Sequence, residues 1–319
     1  GTELTEVGNY LITITDKAGN STRYTFTIDK VAPTIKLIGK DDNGFTNGKV
    51  SATWSAAIEG VKGQRSNDND ILSVKYAYTT GSTFPTSATT VYDSGANLRE
   101  VGNYLLTIKD KAGNTTDYRF TIDTTAPILN LSGVVSGGFT NSNVSIKWDN
   151  TMTDIRSQLS NSNDGLTVRY TYSTGGTFPT TASTLYVANT VLSDAGNYIV
   201  TITDKAGNFT KYTFTIDRVA PILTLSGVKV NGFTNDIVSA TWSTAVDGVR
   251  GQRSNNNDSL TVRYSYNTGS TFPTSATIAY SNDVDLTNAG NYLIIIADRA
   301  GNNTSYTFTI DKTARYHAR

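Results

Sequence analysis

Asparagine and aspartate alternate in a short loop at three places: Asn67-Asp68-Asn69-Asp70, Asn161-Ser162-Asn163-Asp164 and Asn255-Asn256-Asn257-Asp258. Alternating side-chain oxygens are hard ligands of the kind calcium takes. Asn67, Asn69, Asp70, Asn161, Asn163, Asp164, Asn255, Asn257 and Asp258 are therefore the candidate metal ligands of this chain. The order of an EF-hand is incomplete, since no glutamate follows at the required distance and each loop offers few carboxylates. The competing reading is a loop closed by the side-chain-to-backbone bonds of Asx turns. If calcium binds here, the affinity expected is the weak one of extracellular modules.

Two further acidic columns recur in the same phase. Asp16, Asp110, Asp204 and Asp298 each open an Asp-Lys/Arg-Ala-Gly-Asn turn, where an aspartate bonds the backbone two residues on. Asp29, Asp123, Asp217 and Asp311 each end a Phe-Thr-Ile-Asp strand. These read as turn or strand-end caps, with an interdomain calcium ligand as the alternative.

Most catalytic chemistry has no residues to work with. The chain has no cysteine and a single histidine, His317, which removes thiolate nucleophiles, disulfides, cysteine zinc sites and the usual imidazole bases. Glycoside cleavage needs a distinct pair of carboxylates, and near-identical small units offer no obvious cleft for one. The phased Lys17, Lys111 and Lys205 lie in a turn and become Arg299 in the fourth copy, which argues against a self-formed lysine crosslink. Asn20, Asn114, Asn208 and Asn302 each open an Asn-x-Thr sequence, read as turn chemistry before glycosylation. The chain is expected not to be an enzyme and to carry no cofactor beyond a structural calcium.

Charge is balanced, 27 basic against 27 acidic residues, without the basic stripe that nucleic acid requires. No stretch approaches the roughly 18 apolar residues of a membrane-spanning helix. Residues 1–3 fall in the middle of a repeat, so the segment is expected to belong to something longer, and the lack of a signal peptide says nothing about secretion.

What positions these residues is a repeat. The segments VGNYLITITDKAGN, VGNYLLTIKDKAGN, AGNYIVTITDKAGN and AGNYLIIIADRAGN start at Val7, Val101, Ala195 and Ala289, in steps of 94 residues. Trp54, Trp148 and Trp242 share that phase; of 18 tyrosines only Tyr316 falls outside it, and of 11 phenylalanines only Phe209. One aromatic core built three times is the simplest explanation.

Inside a repeat the pattern is that of short strands. Tyr104, Leu106 and Ile108 alternate with smaller or polar residues, as do Tyr118, Phe120 and Ile122, Val50, Ala52 and Trp54, and Val74, Tyr76 and Tyr78. Period-2 alternation buries one face and wets the other. About seven such strands per repeat, with no helical period, predict a β-sandwich. Ser193-Asp194-Ala195-Gly196-Asn197-Tyr198 resembles the corner of immunoglobulin folds in which a tyrosine hydroxyl ties back to the backbone. Val200 stands where an antibody domain would place its second cysteine.

Boundaries follow the Asp-x-x-Ala-Pro segments ending at Pro33, Pro127 and Pro221. Proline fixes its own φ and holds its predecessor extended, so these junctions should be stiff. Repeats run over 31–124, 125–218 and 219–312, preceded by the last strands of a truncated repeat at 1–30 and followed by a non-repeat tail at 313–319. An isolated hairpin is marginal, so residues 1–30 should pack on the first repeat or fray. The fold class is all-β: tandem immunoglobulin-like β-sandwich domains of 94 residues each, arranged as an elongated array.

Gly-Phe-Thr-Asn, Gly-Asn-Tyr, Asp-Lys-Ala-Gly-Asn and Phe-Thr-Ile-Asp-x-x-Ala-Pro together resemble bacterial immunoglobulin-like (Big-type) repeats, which occur in tandem in large cell-surface and adhesin proteins. That resemblance implies an extracellular, elongated, non-enzymatic role at the bacterial cell surface. The leading expectation is a structural stalk or spacer, with neighbouring repeats of the chain as its partners. The alternatives are a self-assembling surface layer or filament, in which copies of the chain pair, and a module that binds a surface glycan or host protein.

Overall fold

The computed structural model describes residues 1–54, 72–148, 165–243 and 259–313. The candidate calcium ligands Asn67, Asn69, Asp70, Asn161, Asn163, Asp164, Asn255, Asn257 and Asp258 all lie outside the described residues, as does the tail from Ala314. Among the described residues there are strands and turns and no helix.

The first thirty residues supply β1 (Gly8–Thr15) and β2 (Ser21–Ile28). The next repeat holds β3 (Lys36–Ile38), β4 (Gly44–Thr46), β5 (Ser51–Thr53), β6 (Ser73–Thr79), β7 (Thr90–Val91), β8 (Gly102–Lys109) and β9 (Thr115–Ile122). The second contains β10 (Asn130–Ser132), β11 (Phe139–Thr140), β12 (Val144–Lys147), β13 (Thr167–Ser173), β14 (Thr184–Leu185), β15 (Val191–Leu192), β16 (Gly196–Thr203) and β17 (Phe209–Ile216). The third contains β18 (Thr224–Ser226), β19 (Phe233–Thr234), β20 (Ser239–Thr241), β21 (Thr261–Asn267), β22 (Ile278–Ala279), β23 (Gly290–Ala297) and β24 (Asn303–Ile310).

The chain falls into two compact units. One holds Gly1–Ile128, Asp149–Thr167 and Thr203–Thr210; the other holds Leu129–Trp148, Val168–Ile202 and Lys211–Arg319. The turn of the second repeat is thus grouped with the first repeat, for reasons given below.

Each repeat is a sandwich. Its larger sheet has five strands, in the order β4-β9-β8-β6-β7, β11-β17-β16-β13-β14 and β19-β24-β23-β21-β22. The edge strand is parallel to its neighbour, Phe45 opposite Thr121 and Phe233 opposite Thr309, whereas the central pairs are antiparallel. The smaller sheet pairs β3 with β5 and β18 with β20, extended by the bridges Val50–Leu98 and Val238–Leu286. This is an immunoglobulin-like β-sandwich, as the alternation and turn spacing foretold.

The core lies between the two sheets. In the first repeat Val50 and Ala52 of the smaller sheet meet Tyr104, Leu106, Ile108, Phe120 and Ile122 of the larger. In the third, Val238 and Ala240 meet Tyr292, Ile294, Ile296, Phe308 and Ile310. Tyr104 and Phe120 stack with centroids 5.0 Å apart, and Tyr292 and Phe308 do the same.

Strict alternation fails on the central strand. Leu105 lies outside the cluster between the sheets yet is buried, as are Ile199 and Leu293; in the first repeat it shares a cavity wall with Thr86, Ser87 and Ala88, from the connection after β6. Asn103 and Asn197 hold the connections that follow β6 and β13 by donating to the carbonyls of Gly81 and Gly175 at 3.0 Å. The phased aromatics also do not all reach the core. Trp54 and Trp242 are half-buried at its margin, and Tyr78, Tyr172 and Tyr266 are 43%, 38% and 36% exposed.

Residues 1–30 keep their hairpin, and the Asp29 carbonyl ties its end to the first repeat by accepting from Asn114 Nδ2 at 3.2 Å. β1 and β2 keep a full antiparallel ladder from Gly8–Ile28 to Thr15–Ser21, but they form a two-stranded sheet by themselves. Ile12, Ile14 and Phe26 are exposed, while their counterparts one repeat on, Leu106, Ile108 and Phe120, are fully buried. The ladder survives because its turn is closed locally; the face is bare because the strands that cover it elsewhere are not beside it.

Candidate functional site

The feature that recurs with the most polar detail is the turn between the last two strands of each repeat. In Asp110-Lys111-Ala112-Gly113-Asn114, one carboxylate oxygen of Asp110 accepts the N–H groups of Gly113 and Asn114 at 2.7 and 2.8 Å. The other accepts Nδ2 of Asn114 at 2.8 Å. Gly113 takes φ 103°, and Gly19, Gly207 and Gly301 take φ of 90°, 92° and 94°, a region that glycine enters without a Cβ penalty. Asp16, Asp204 and Asp298 bind Asn20, Asn208 and Asn302 in the same way. At Asp16 the Asn20 side chain and backbone bonds hold the carboxyl below the usual range. This aspartate column is turn chemistry, as its sequence position suggested.

The asparagine that closes the turn also reaches the preceding repeat. Nδ2 of Asn114 donates to the carbonyl of Asp29 at 3.2 Å, and Nδ2 of Asn208 donates to that of Asp123 at 3.0 Å, both inside the first unit. In the second unit, Nδ2 of Asn302 donates to the carbonyl of Asp217 at 2.9 Å. The second aspartate column is thus tied into the junction by its backbone. Its carboxylates form Asx turns: Asp29, Asp123, Asp217 and Asp311 accept the N–H two residues on, at 2.9, 3.0, 3.0 and 2.8 Å.

A cation accompanies the asparagine. Lys205 Nζ lies 5.4 Å from the centroid of the Phe45 ring, and the Arg299 guanidinium 4.7 Å from that of Phe139. The N–H of Asn141 donates to the Ala300 carbonyl at 3.1 Å. The turn of one repeat therefore caps the end of the repeat before it, touching its parallel edge strand and its closing aspartate. Residues 203–210 belong with the first unit for this reason.

Tyrosines fix each sandwich from inside. The expected corner is present: the hydroxyls of Tyr10, Tyr104, Tyr198 and Tyr292 donate to the carbonyls of Glu6, Glu100, Asp194 and Asn288 at 2.8 to 2.9 Å. Two further tyrosine columns, for which the sequence indicated no bonding role, act as clamps. Tyr92, Tyr186 and Tyr280 accept the N–H of Ala52, Ile146 and Ala240 and donate to the carbonyls of Ala96, Thr190 and Val284. Tyr118, Tyr212 and Tyr306 accept the N–H of Ile35, Leu129 and Leu223. The common 94-residue phase of these columns was the available signal, but not their partners.

Burial first, then the neighbouring phenols of Tyr266 and Tyr264, push the Tyr292 hydroxyl up to about 12; burial also raises Tyr104 and Tyr198. An unfolded tyrosine ionises near 10. Above that pH the unfolded chain sheds a proton that the folded chain keeps, so stability present in full below about pH 10 falls as pH rises toward 12. Denaturant midpoints measured across that range should decline; midpoints constant from neutrality to pH 12 would contradict these buried phenols.

Among the described residues, no three His, Cys, Asp or Glu side chains are gathered closely enough to hold a metal. An open cavity of about 360 Å³ on the first repeat is lined by Lys75, Thr86, Leu105, Thr107, Lys109 and Asp117, among others. Asp117 is the one carboxylate in its lining, and it accepts the Thr107 hydroxyl at 2.6 Å. A second cavity, of about 370 Å³, is lined by Asn47, Gly48, Lys49, Arg99 and Ile122. No described helix is long and apolar enough to cross a membrane.

No family model matches the chain, and no curated protein matches it. Among solved structures it is similar to extracellular domains 3–5 of Drosophila OTK, at 12% identity and TM-score 0.25, covering 88% of this chain and 98% of that one. It is similar to the 47-kilodalton lipoprotein Tp47 of Treponema pallidum at 10% identity and TM-score 0.25, covering 94% and 84%. It is also similar to the D1–D4 ectodomain fragment of ICAM-5 at 12% identity and TM-score 0.26, covering 91% and 78%.

Proposed function

We propose that the chain is a non-catalytic stalk or spacer segment of a bacterial cell-surface protein. The observation that carries this reading is the junction: the same asparagine donates to the same aspartate carbonyl, 85 residues earlier, at all three repeat boundaries. A chain selected only to display separate binding modules has no need of a polar cap repeated at each boundary. A spacer does, because bending at a boundary must break the cap. Three residues between Asp and Pro leave little slack in the connection, and proline restricts it further. The polar, cysteine-free composition suits a surface location.

The test is small-angle scattering with light scattering on the wild-type chain and on the variant Asn208→Ala/Asn302→Ala. Each lost neutral bond contributes about 0.5–1.5 kcal/mol, enough to populate bent junctions several-fold more. The wild type should remain monomeric at low concentration with a sharp distance distribution. The variant should keep the strand content of the wild type but show a broader distribution and a smaller mean dimension. Indistinguishable profiles would remove the junction as the basis for a stalk. Repeating the series with calcium and then chelator reads the 67–70, 161–164 and 255–258 loops, which would act as calcium sites if chelation loosens the wild-type profile.

A further inference from the structure

One corner of the sandwich differs between the repeats. In the second repeat it lies where the loop after β11 and the segment after β15 meet the residues that follow β17, and it holds a guanidinium. Arg218 donates from Nε to the carbonyl of Ser193 at 2.9 Å, from Nη1 to that of Asn141 at 3.0 Å, and from Nη2 to Oδ1 of Asn143 at 2.5 Å. A single planar fork thus serves two backbone carbonyls and an amide oxygen.

The first repeat has other residues at this corner. In the 94-residue phase Arg218 becomes Thr124, Asn143 becomes Lys49 and Ser193 becomes Arg99, while Asn141 is matched by Asn47. Threonine is too short to fill the place of an arginine, and a cavity of about 370 Å³ is found there, lined by Asn47, Gly48, Lys49, Arg99 and Ile122. Ile122 is buried, and the other four are exposed. The charge has moved from the middle of the corner to its wall: one cation inside becomes two around a cavity, with no carboxylate in the lining. Among the described residues, Lys49 and Arg99 make no ion pair. The carbonyls of Asn47 and Arg99, equivalent to the two that Arg218 serves, accept no bond from the described residues. The third repeat has Ile237 and Thr287 at the two cation positions, so the pair of cations is a feature of the first repeat alone.

Such a wall selects its ligand by two criteria. Two cations around one cavity attract a carboxylate or another oxyanion and repel the lysine or arginine of another protein. Two carbonyls beside them need hydrogen-bond donors, which a bare oxyanion does not have. A sugar acid meets both criteria, because its carboxylate is attached to a ring of hydroxyls. We propose that the Lys49–Arg99 cavity of the first repeat binds a hexuronate, with its carboxylate between the two cations and its hydroxyls donating to the carbonyls of Asn47 and Arg99. The volume is near the lower end of the roughly 300–1,000 Å³ of small-molecule sites, which suits one sugar ring. This assignment goes beyond the stalk reading, which rests on the asparagine caps and stands whether or not a sugar binds.

Equilibrium dialysis of the full chain against labelled galacturonate is the experiment. The wild type should bind at a single site with a Kd of about 1 mM, the value for a ligand of so few atoms at ordinary efficiency. Galactose, which keeps the ring hydroxyls without the carboxylate, and acetate, which keeps the carboxylate alone, should each bind about tenfold more weakly or less. The variant Lys49→Asn/Arg99→Ser should lower the affinity for galacturonate about tenfold, and adding Thr124→Arg, which brings in the guanidinium of the second repeat, should abolish binding. Tetragalacturonate separates the two sources of this chemistry: binding at least as tight as the monomer's marks a residue of an acidic polysaccharide, and weaker binding marks a free sugar acid. No bound galacturonate at about 10 mM overturns the proposal. So does acetate that binds as well as galacturonate, the mark of a bare anion site. Unchanged binding in Lys49→Asn/Arg99→Ser overturns it too, since the sugar would then sit elsewhere, as at the Lys75 and Lys109 cavity. Each substitution installs the residue that the second repeat has at that position, and circular dichroism checks that the strands are kept.

Discussion

Replacing Phe308 with alanine should destabilise the third repeat by about 3–5 kcal/mol, the range for deleting a large aromatic from a packed core. Phe308 has no exposed surface and lies flat against Tyr292, with centroids 5.0 Å apart and planes within 5°. It is held between the two sheets by Val238, Ala240, Ile294 and Ile310. These neighbours are anchored in opposing strands, so they close the void only in part and the lost dispersion is not recovered. Domains of this size have about 5–15 kcal/mol in total, so the third repeat should melt well before the other two. Denaturant unfolding followed by tryptophan emission should resolve an early transition assigned to Trp242. Phe233→Ala provides the control: with its ring mostly in water, it should stay within about 0.5 kcal/mol. Equal effects from the two substitutions would mean that the stacked pair is not the centre of the core.

Gly227→Ala should also be strongly destabilising, although it adds only a methyl group. Gly227 takes φ 87°, where an alanine is strained by roughly 1–2 kcal/mol. Its Cβ would also sit 2.2 Å from the Ile237 carbonyl oxygen and 3.3 Å from its carbon. That oxygen belongs to the backbone leading into the smaller sheet, so it cannot swing aside as a side chain would. Relieving the clash moves the strand that carries Val238 and Ala240, at a further cost of about 1–3 kcal/mol. The sum is about 2–5 kcal/mol. Gly39 and Gly133 have the same positive φ and the same approach, 2.4 and 2.5 Å from the oxygens of Lys49 and Asn143, so the effect should recur in each repeat. Gly113→Ala separates the two causes. Its φ is 103° but nothing lies within 4 Å of its Cβ, so it should show the conformational strain alone. A Gly227→Ala chain no less stable than Gly113→Ala would rule out the close approach as the cause.

The local elements of this protein were legible in its residues. Alternation at Tyr104, Leu106 and Ile108 and at Phe120 and Ile122 describes two strands whose buried faces are those seen. Asp110 and Asn114 frame a turn that closes as their spacing indicates. Tyr198 ties back four residues to Asp194, within reach of a sequence pattern. These features depend on residues fewer than five apart, or on a period of two. The chain's own backbone geometry enforces both, so the 94-residue repeat and the sandwich follow from sequence.

Contacts between distant residues were decided by the tertiary structure. The Tyr92 hydroxyl reaches the Ala52 N–H 40 residues away, and Asn302 reaches the Asp217 carbonyl 85 residues away. Nothing local distinguishes the buried Tyr92 from Tyr78, which stacks on Tyr104 but stays 43% exposed; only where each falls relative to the smaller sheet sets its burial. Leu105 stands out of phase with Tyr104 and Leu106 along the strand and is buried all the same. The same holds for the turn. Lys205 and Arg299 stand at equivalent places in sequence and each lies over the ring of an edge strand about 160 residues earlier, Phe45 and Phe139, a meeting that only the convergence of an edge strand and a turn in space decides.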